Sequence, residues 1–460
     1  CGWRNVELKV TWSHEFKFMA PNKSAEASAP PVKMQKDSSP LNDYAIQVDD
    51  HVYDTKALAK IHPGGELFVK AFSGRDATEA FLSYHRKSFP HDRMTESLIG
   101  KAPALKKPSA DEDYLELCKL VEKVLPRNKA FAPPAYFLKV AVLFGLAVYL
   151  EMYMHTSGNY KWYISGFLGW LYALIGLNIQ HDANHGAISR FSWVNRILGL
   201  TQNWIGGSAV DWIHQHVVQH HINPNDVDHD PDIVGNSVLR LNPLKPMMKI
   251  QAFQHLYLFI LLAFFGFNYI TETLIHNLEG FHKTSFSKLL KSNRVFEECT
   301  TGLFVLRWIV IPLIKAPSVY TLLNIAPMFL VGGYYLSFFF VISHNFEGVH
   351  IFEHDYTKNV DQSFLHKQVL TAANVGGAWL CFLNGGLNYQ IEHHLFPRIS
   401  HTHYPTIAPV VREYCRSKNI TYVHFPTVGE NVASCMKHLY QLGHNKNCSN
   451  FVDGHGKKQQ

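Results

Sequence analysis

The chain has 460 residues and a formal net charge of +6; 47% of its residues are apolar and only 17% are charged, below the roughly 25% usual in soluble proteins. The length allows two or three domains, and the shortage of charge argues against a wholly soluble protein. A balance of +6 suits an anionic membrane surface, and no nucleic-acid partner is expected. Histidine, at 28 residues, is several times more frequent than usual and needs an explanation. Seven cysteines (1, 118, 299, 381, 415, 435 and 448) are scattered without a CxxC pair, which fits a reducing compartment rather than a disulfide framework.

Residues 1–18 mix charged and aromatic residues without the apolar core of a secretory signal. Met19-Ala20-Pro21-Asn22 reads as an initiation site, so the preceding residues are expected to be an extension. Residues 20–40 are rich in Ala, Ser, Pro and Lys, and the whole segment 1–40 is expected to be disordered. A compact stretch follows over 41–101. It contains His62-Pro63-Gly64-Gly65, and His85 lies 23 residues beyond His62. Two neutral imidazoles on opposite faces of a haem saturate its iron, giving an electron carrier that does not bind oxygen. Alone, the HPGG turn carries little weight, and two ordinary surface histidines are the plainer reading. Residues 102–129, with Pro103, Pro108 and Lys106-Lys107, read as a linker.

Residues 136–154 and 162–180 are apolar runs of 19 residues joined by a short polar link, each close to the roughly 20 needed to cross a bilayer. Further apolar stretches occupy 252–270, 303–314 and 319–342. Histidines cluster at the edges of these runs: His181 and His185, then His216, His220 and His221, then Gln390, Glu392, His393 and His394. Imidazole binds iron and zinc well, and seven histidines exceed the four ligands of one tetrahedral zinc. Two metal ions are therefore expected.

If all clusters serve one site, an even number of crossings must separate His221 from His393. The short stretch 303–314 carries Arg307 and pairs with 319–342 as a hairpin, so 252–270 is expected to lie in the interface or to dip in and return. Four spanning helices result. Lys245, Lys249, Lys283, Lys288, Lys291 and Arg294 crowd the cluster side, which places the clusters and both termini in the cytosol.

His181 and His185, four apart, share a helix face. Adjacent His220 and His221 diverge by about 100° on a helix, which suits two different metals, and the same holds for His393 and His394. His214 is a bystander at i−2 from His216. His344 closes the last apolar run, where an idle polar group is expensive. The run Asp226, Asp228, Asp230, Asp232 is either a solvated loop or a set of partners for ligand imidazoles; Asp182 and Glu392 are stronger candidates for that role. Trp170, Trp204, Trp212 and Trp379 either line an acyl tunnel or anchor the protein at the interface.

Taken with Gly74-Arg75-Asp76-Ala77-Thr78 and Leu98-Ile99-Gly100, residues 42–101 resemble cytochrome b5, with His62 and His85 as axial ligands. The leading helix and the tryptophan-bearing strand usual in that family are not evident. Residues 130–425 resemble the membrane fatty acid desaturases with their three histidine boxes, supported by Gly206-Gly207-Ser208, Ser343-His344-Asn345-Phe346 and the QIEHHLFP run from Gln390. The fused b5 segment and Gln390 in place of the first histidine of the third box resemble the front-end group. Residues 426–460 read as a polar tail.

The fold this implies is multi-domain: a small α+β haem domain joined to an all-α integral membrane di-iron domain. The implied iron ligands are His181, His185, His216, His220, His221, His344, His393 and His394, with Gln390, Asp182 and Glu392 in catalytic supporting positions. The implied chemistry inserts a cis double bond into a polyunsaturated acyl group carried on coenzyme A or a phospholipid. It uses O2 and electrons from NADH through cytochrome b5 reductase at the endoplasmic reticulum membrane. The wording of the first two boxes is most similar to delta-5 acyl-lipid enzymes. A sphingolipid long-chain-base desaturase and a di-iron lipid hydroxylase remain alternatives, as does a zinc-binding membrane receptor or transporter outside enzymology.

Overall fold

The computed structural model describes residues 41–104, 111–235, 238–278, 290, 293–351 and 363–444. The segment expected to be disordered, the initiation site at Met19 and the last residues of the chain lie outside them. Strands β1 (Ala45–Val48), β2 (His51–Asp54) and β3 (Leu98–Lys101) form an antiparallel sheet in that order. Asp54 ends β2 and caps α1 (Thr55–Ile61), accepting from the Ala57 amide at 2.7 Å. Helices α2 (Glu66–Ala71) and α3 (Thr78–His85) follow.

The apolar core of this unit does not close on itself. Ile46, Val48, Tyr53, Ala71 and Phe72 share one cluster with Val210, Trp212, Ile213, Val217 and Val218, which flank the second histidine box. The stretch read as a linker also contains structure: α4 (Glu112–Val124) buries Tyr114, Leu117, Cys118 and Val121, the i, i+3, i+4, i+7 face of an amphipathic helix.

Among the described residues, four helices are long and apolar enough to cross a membrane: Arg127–Ser157, Trp162–Asn184, Lys249–His276 and Val319–His344. The number agrees with the sequence reading, but the membership differs. The third candidate is Lys249–His276, where the sequence reading put 252–270 in the interface, and the stretch 303–314 is not among the four. Arg307 does not snorkel to a surface; it is buried in a π-helical turn, Leu306–Val310, and ion-paired to Glu151 at 2.6 Å. Two candidate spans, Lys249–His276 and Val319–His344, separate the second box from the third, which satisfies the even-number condition.

The helices touch at glycines. A Cβ on Gly169 would sit 2.2 Å from the Met328 carbonyl oxygen, and one on Gly333 would sit 2.3 Å from the Gly266 amide nitrogen. The backbones of the second and third long helices can therefore lie directly on the fourth. Helix α5 (Tyr404–Ser417) packs with α4 and the third box through Ile407, Val411 and Cys415. Residues 428–444, part of the expected polar tail, instead form α6 (Val428–His444). Its Cys435, Leu439 and Leu442 are buried against the third and fourth long helices. The five described cysteines are free thiols.

Candidate metal centre

Two π-helical turns set the histidines of the first two boxes. Gly176–Gln180 precedes His181, and Ile213–His220 carries the second box. Such wide turns are frequent at functional sites. In the second, the His221 amide donates to the His216 carbonyl, five residues back, so His216 and His221 come to lie on one side. Their Nε2 atoms are 3.2 Å apart, and His221 Nε2 lies 3.0 Å from His393 Nε2. The third box starts after Gly385 and Gly386, both at positive φ. A Cβ on Gly385 would meet the Leu177 carbonyl oxygen at 2.1 Å, so glycine lets this turn lie on the end of the second long helix.

All eight proposed histidines converge, and they form two groups. His181, His185, His216 and His393 make the first, with His221 beside it; His220, His344 and His394 make the second. The adjacent residues of the boxes divide between the groups, His220 from His221 and His393 from His394, as their divergence on a helix requires. Nitrogens bound at about 2.1 Å and 90° to one ion lie roughly 3.0 Å apart. The 3.2 Å between His344 Nε2 and His394 Nε2 is of that order.

The rings are held from outside. His220 Nδ1 faces both oxygens of Asp230 at 3.1 and 3.3 Å. His344 Nδ1 donates to the Thr371 carbonyl at 2.9 Å, and His394 Nδ1 to Gln368 Oε1 at 2.8 Å. His393 Nδ1 is 3.3 Å from the Tyr404 hydroxyl, and His185 Nδ1 is 2.7 Å from that of Tyr84. Fixing Nδ1 in this way aims Nε2 at a common centre. The Nε2 atoms of His181, His185 and His220 are buried without a hydrogen-bond partner among the described residues. Buried orphan acceptors are costly, and a pair of metal ions would satisfy them, so the residues fit the group. Burial, helped by neighbouring imidazoles, holds His216, His221, His393 and His394 well below the ordinary histidine pKa, in the neutral form that metals require. At His220 burial works the same way, but Asp230 and Asp232 outweigh it and raise the ring to about 9. A metal ion would take the place of that proton.

The other expected site residues are placed differently. Gln390 points its amide at His344 Nε2, 2.9 Å away, so it borders the second group. Asp182 lies 4.0 Å from His181 Nδ1, beyond hydrogen-bond reach. It accepts instead from Ser400 Oγ at 3.1 Å and His401 Nδ1 at 2.9 Å, tying the first box to the segment after the third. Glu392 accepts from Asn374 at 2.7 Å and Tyr422 at 2.9 Å, and burial raises it to about 7. Both carboxylates are struts. His214 is buried outside both groups. Trp212 packs against His216 at a tilt of 34°, with ring centres 4.5 Å apart, whereas Trp379 is exposed. Gln368, Thr371, Tyr404 and Tyr84 were not anticipated. Each is an ordinary polar residue, with nothing in its local sequence to connect it with a histidine far along the chain.

In the N-terminal unit, His62 Nδ1 donates to the Gly65 carbonyl at 2.9 Å and His85 Nδ1 to that of Phe81 at 3.0 Å. The ring centres lie 5.9 Å apart, close to the roughly 6 Å that two imidazoles bound at about 2 Å to one iron require. This pair therefore fits a haem iron. Burial lowers the pKa of both rings, that of His85 to about 3, so both stay neutral. A Cβ on Gly64 would lie 2.8 Å from His62 Cε1. Gly64→Ala is therefore expected to push the imidazole off its axis and weaken haem retention by at least about tenfold, read as Soret absorbance per chain.

Fold and site together define a membrane oxidoreductase in which a bis-imidazole haem unit is packed against a cage of eight histidines. The comparisons agree. Residues 160–426 match the fatty acid desaturase family and residues 32–103 match the cytochrome b5-like haem/steroid binding domain. The chain belongs to the fatty acid desaturase family. It is 44% identical to an acyl-lipid (7-3)-desaturase of Rebecca salina over 89% of this chain and 92% of the relative. It is 46% identical to one of Diacronema lutheri over 86% and 89%. A Delta(5) fatty acid desaturase A of Dictyostelium discoideum is 29% identical over 87% and 91%.

Proposed function

We propose that the chain is a front-end acyl-lipid desaturase of the (7-3) type. It would insert one cis double bond three carbons to the carboxyl side of a double bond at C7 of a polyunsaturated acyl chain. The observation that carries this reading is the convergence of eight buried imidazoles, five of them fixed through Nδ1, at the ends of apolar helices beside a bis-imidazole haem site. The regiochemistry is supported by the two relatives of 44% and 46% identity, both named (7-3)-desaturases. The delta-5 position favoured by the box wording is the competing outcome, and relatives of that name are 29% identical.

The reaction removes two hydrogens from adjacent methylenes. O2 takes up those two hydrogens together with two further electrons and two further protons, and leaves as two waters. Bound iron supplies the oxidising power that an unactivated C–H bond demands and that no acid–base side chain provides. The chain's own part is to position and exclude. His181, His185, His216, His221 and His393 would hold one ion, and His220, His344 and His394 would hold the other. Asp230, Thr371, Gln368 and Tyr404 lock the rings, and burial keeps bulk water from a reactive centre. His62 and His85 would hold the haem, which would pass on electrons received from NADH–cytochrome b5 reductase. The enzyme sits in the endoplasmic reticulum membrane with both termini in the cytosol, and its substrate is an acyl chain on a phospholipid.

Expression in a yeast without polyunsaturated fatty acids tests this. The cells are fed acids whose double bond nearest the carboxyl lies at C7 or at C8, and the products are located by mass spectrometry. The expected result is a new bond at C4 in the first acid, confined to phospholipids and lost in His393→Ala and His62→Ala. A new bond at C5 in the second acid alone would establish the delta-5 alternative. Hydroxylated products, or an altered sphingoid base, would refute the assignment.

A further inference from the structure

The haem unit and the metal centre meet at one hydrogen bond. Tyr84 directly precedes His85 in the chain, and its hydroxyl lies 2.7 Å from Nδ1 of His185 in the first imidazole group. The two rings are nearly parallel, 30° apart, with centres at 6.2 Å. The Tyr84 side chain, one peptide link and one hydrogen bond thus join the side chain of a haem ligand to that of a metal ligand. We propose that Tyr84 is the relay by which electrons pass from the haem to the iron pair, and that the same hydroxyl fixes the orientation of His185. The proposal rests on the haem-fed di-iron reading above and adds the route.

Three features support it. First, His185 Nε2 is buried without a partner among the described residues. With that atom on iron, Nδ1 carries the proton and donates to the phenol oxygen, so Tyr84 serves as the outer partner that ligand imidazoles require. Second, the seam is clamped. Lys367 pairs with Glu79 of α3 across it, and Arg127 donates to the Arg86 carbonyl at 2.9 Å. Lys367 adjoins Gln368, which holds His394, so the docking contact and the second metal group share one short helix, Phe364–Leu370. Third, Phe68 covers the junction, its ring centre 6.0 Å from that of Tyr84. Electronic coupling decays more slowly along covalent and hydrogen bonds than across gaps, which favours this path over a jump between separate surfaces. Each transfer moves one electron: the haem iron goes from ferrous to ferric, the iron pair gains the electron, and Tyr84 keeps its proton.

The test uses the full chain loaded with haem and iron. The haem is reduced anaerobically and mixed with O2 and acyl substrate, and Soret reoxidation is followed by stopped flow; iron-depleted protein gives the background. Tyr84→Phe is expected to keep the haem spectrum, the haem midpoint potential and the iron content, while reoxidation slows by more than about 100-fold, beyond the roughly 10- to 100-fold that loss of a supporting partner alone costs. Glu79→Gln, which weakens the clamp but keeps the hydroxyl, is expected to slow it by less than about fivefold. Wild-type reoxidation no faster than background would defeat the di-iron reading and the relay with it. With wild type fast, an unchanged rate in Tyr84→Phe would overturn the relay alone. So would a slowing fully accounted for by lost iron, or an equal slowing in Glu79→Gln.

Discussion

His344→Ala is expected to abolish desaturation, with turnover reduced by more than about 100-fold, and to lower bound iron toward half the wild-type value. Among the described residues, the first imidazole group has four members with His221 beside it, whereas the second has His220, His344 and His394. Removing one of three donors leaves an ion with two imidazoles. Removing one of five is a smaller loss, so the defect should be selective for one ion. A reduction of 10- to 100-fold is what loss of a mere supporting partner costs, so a ligand should exceed that range. His344 is held from behind by the Thr371 carbonyl and faces His394 Nε2 and the Gln390 amide, so its ring is aimed rather than loosely packed. Iron analysis of purified protein, beside the lipid assay, decides the matter. Full iron content in a folded His344→Ala chain would reduce His344 to a packing residue.

The second large effect is on stability. Arg307 donates to Glu151 at 2.6 Å, to the Tyr172 hydroxyl at 3.0 Å and to the Trp204 carbonyl at 2.9 Å, and its guanidinium stacks on the Trp204 ring. Trp204 Nε1 in turn donates to Glu151 at 3.0 Å. Arg307 and Glu151 are both buried. Removing one partner of such a pair leaves a desolvated charge and costs about 3–5 kcal/mol. Arg307→Leu and Glu151→Leu should each lower the thermal midpoint of the detergent-solubilised chain substantially. Replacing both by apolar residues should recover most of the loss, because the isolated charge is then gone. A double variant as unstable as the singles would mean that packing, not charge, carries the effect.

The histidine boxes were legible in the sequence for a physical reason: imidazoles at the ends of apolar helices are too expensive to be idle, and three clusters at such ends imply a shared task. The HPGG turn with His85 was legible in the same way. The count of spanning helices followed from the need to return the chain to one face. The ion pair of Arg307 was not legible, because hydropathy sees it as a flaw in an apolar run and cannot see its partner 156 residues away. Helices α4 and α6 left a signal that was passed over. Tyr114, Leu117, Cys118 and Val121, and likewise Cys435, Leu439 and Leu442, recur at helical spacing within segments whose composition is polar. The outer partners of the imidazoles left none. Gln368, Thr371 and Tyr404 acquire a role only when the fold brings them to a ring, as Tyr84 does at a distance of 101 residues from His185.

The cluster shared by the haem unit and the second box also bears on how the chain is made. Residues 210–218 leave the ribosome more than a hundred residues after β3, so the apolar side of the N-terminal unit stays uncovered while the first two long helices are synthesised. That unit completes its core only after the membrane has received those helices. It is therefore not a detachable carrier. A free b5-type protein supplied in trans to a truncated chain would have to cover Val210, Ile213 and Val217 to replace the packing that the fused unit provides.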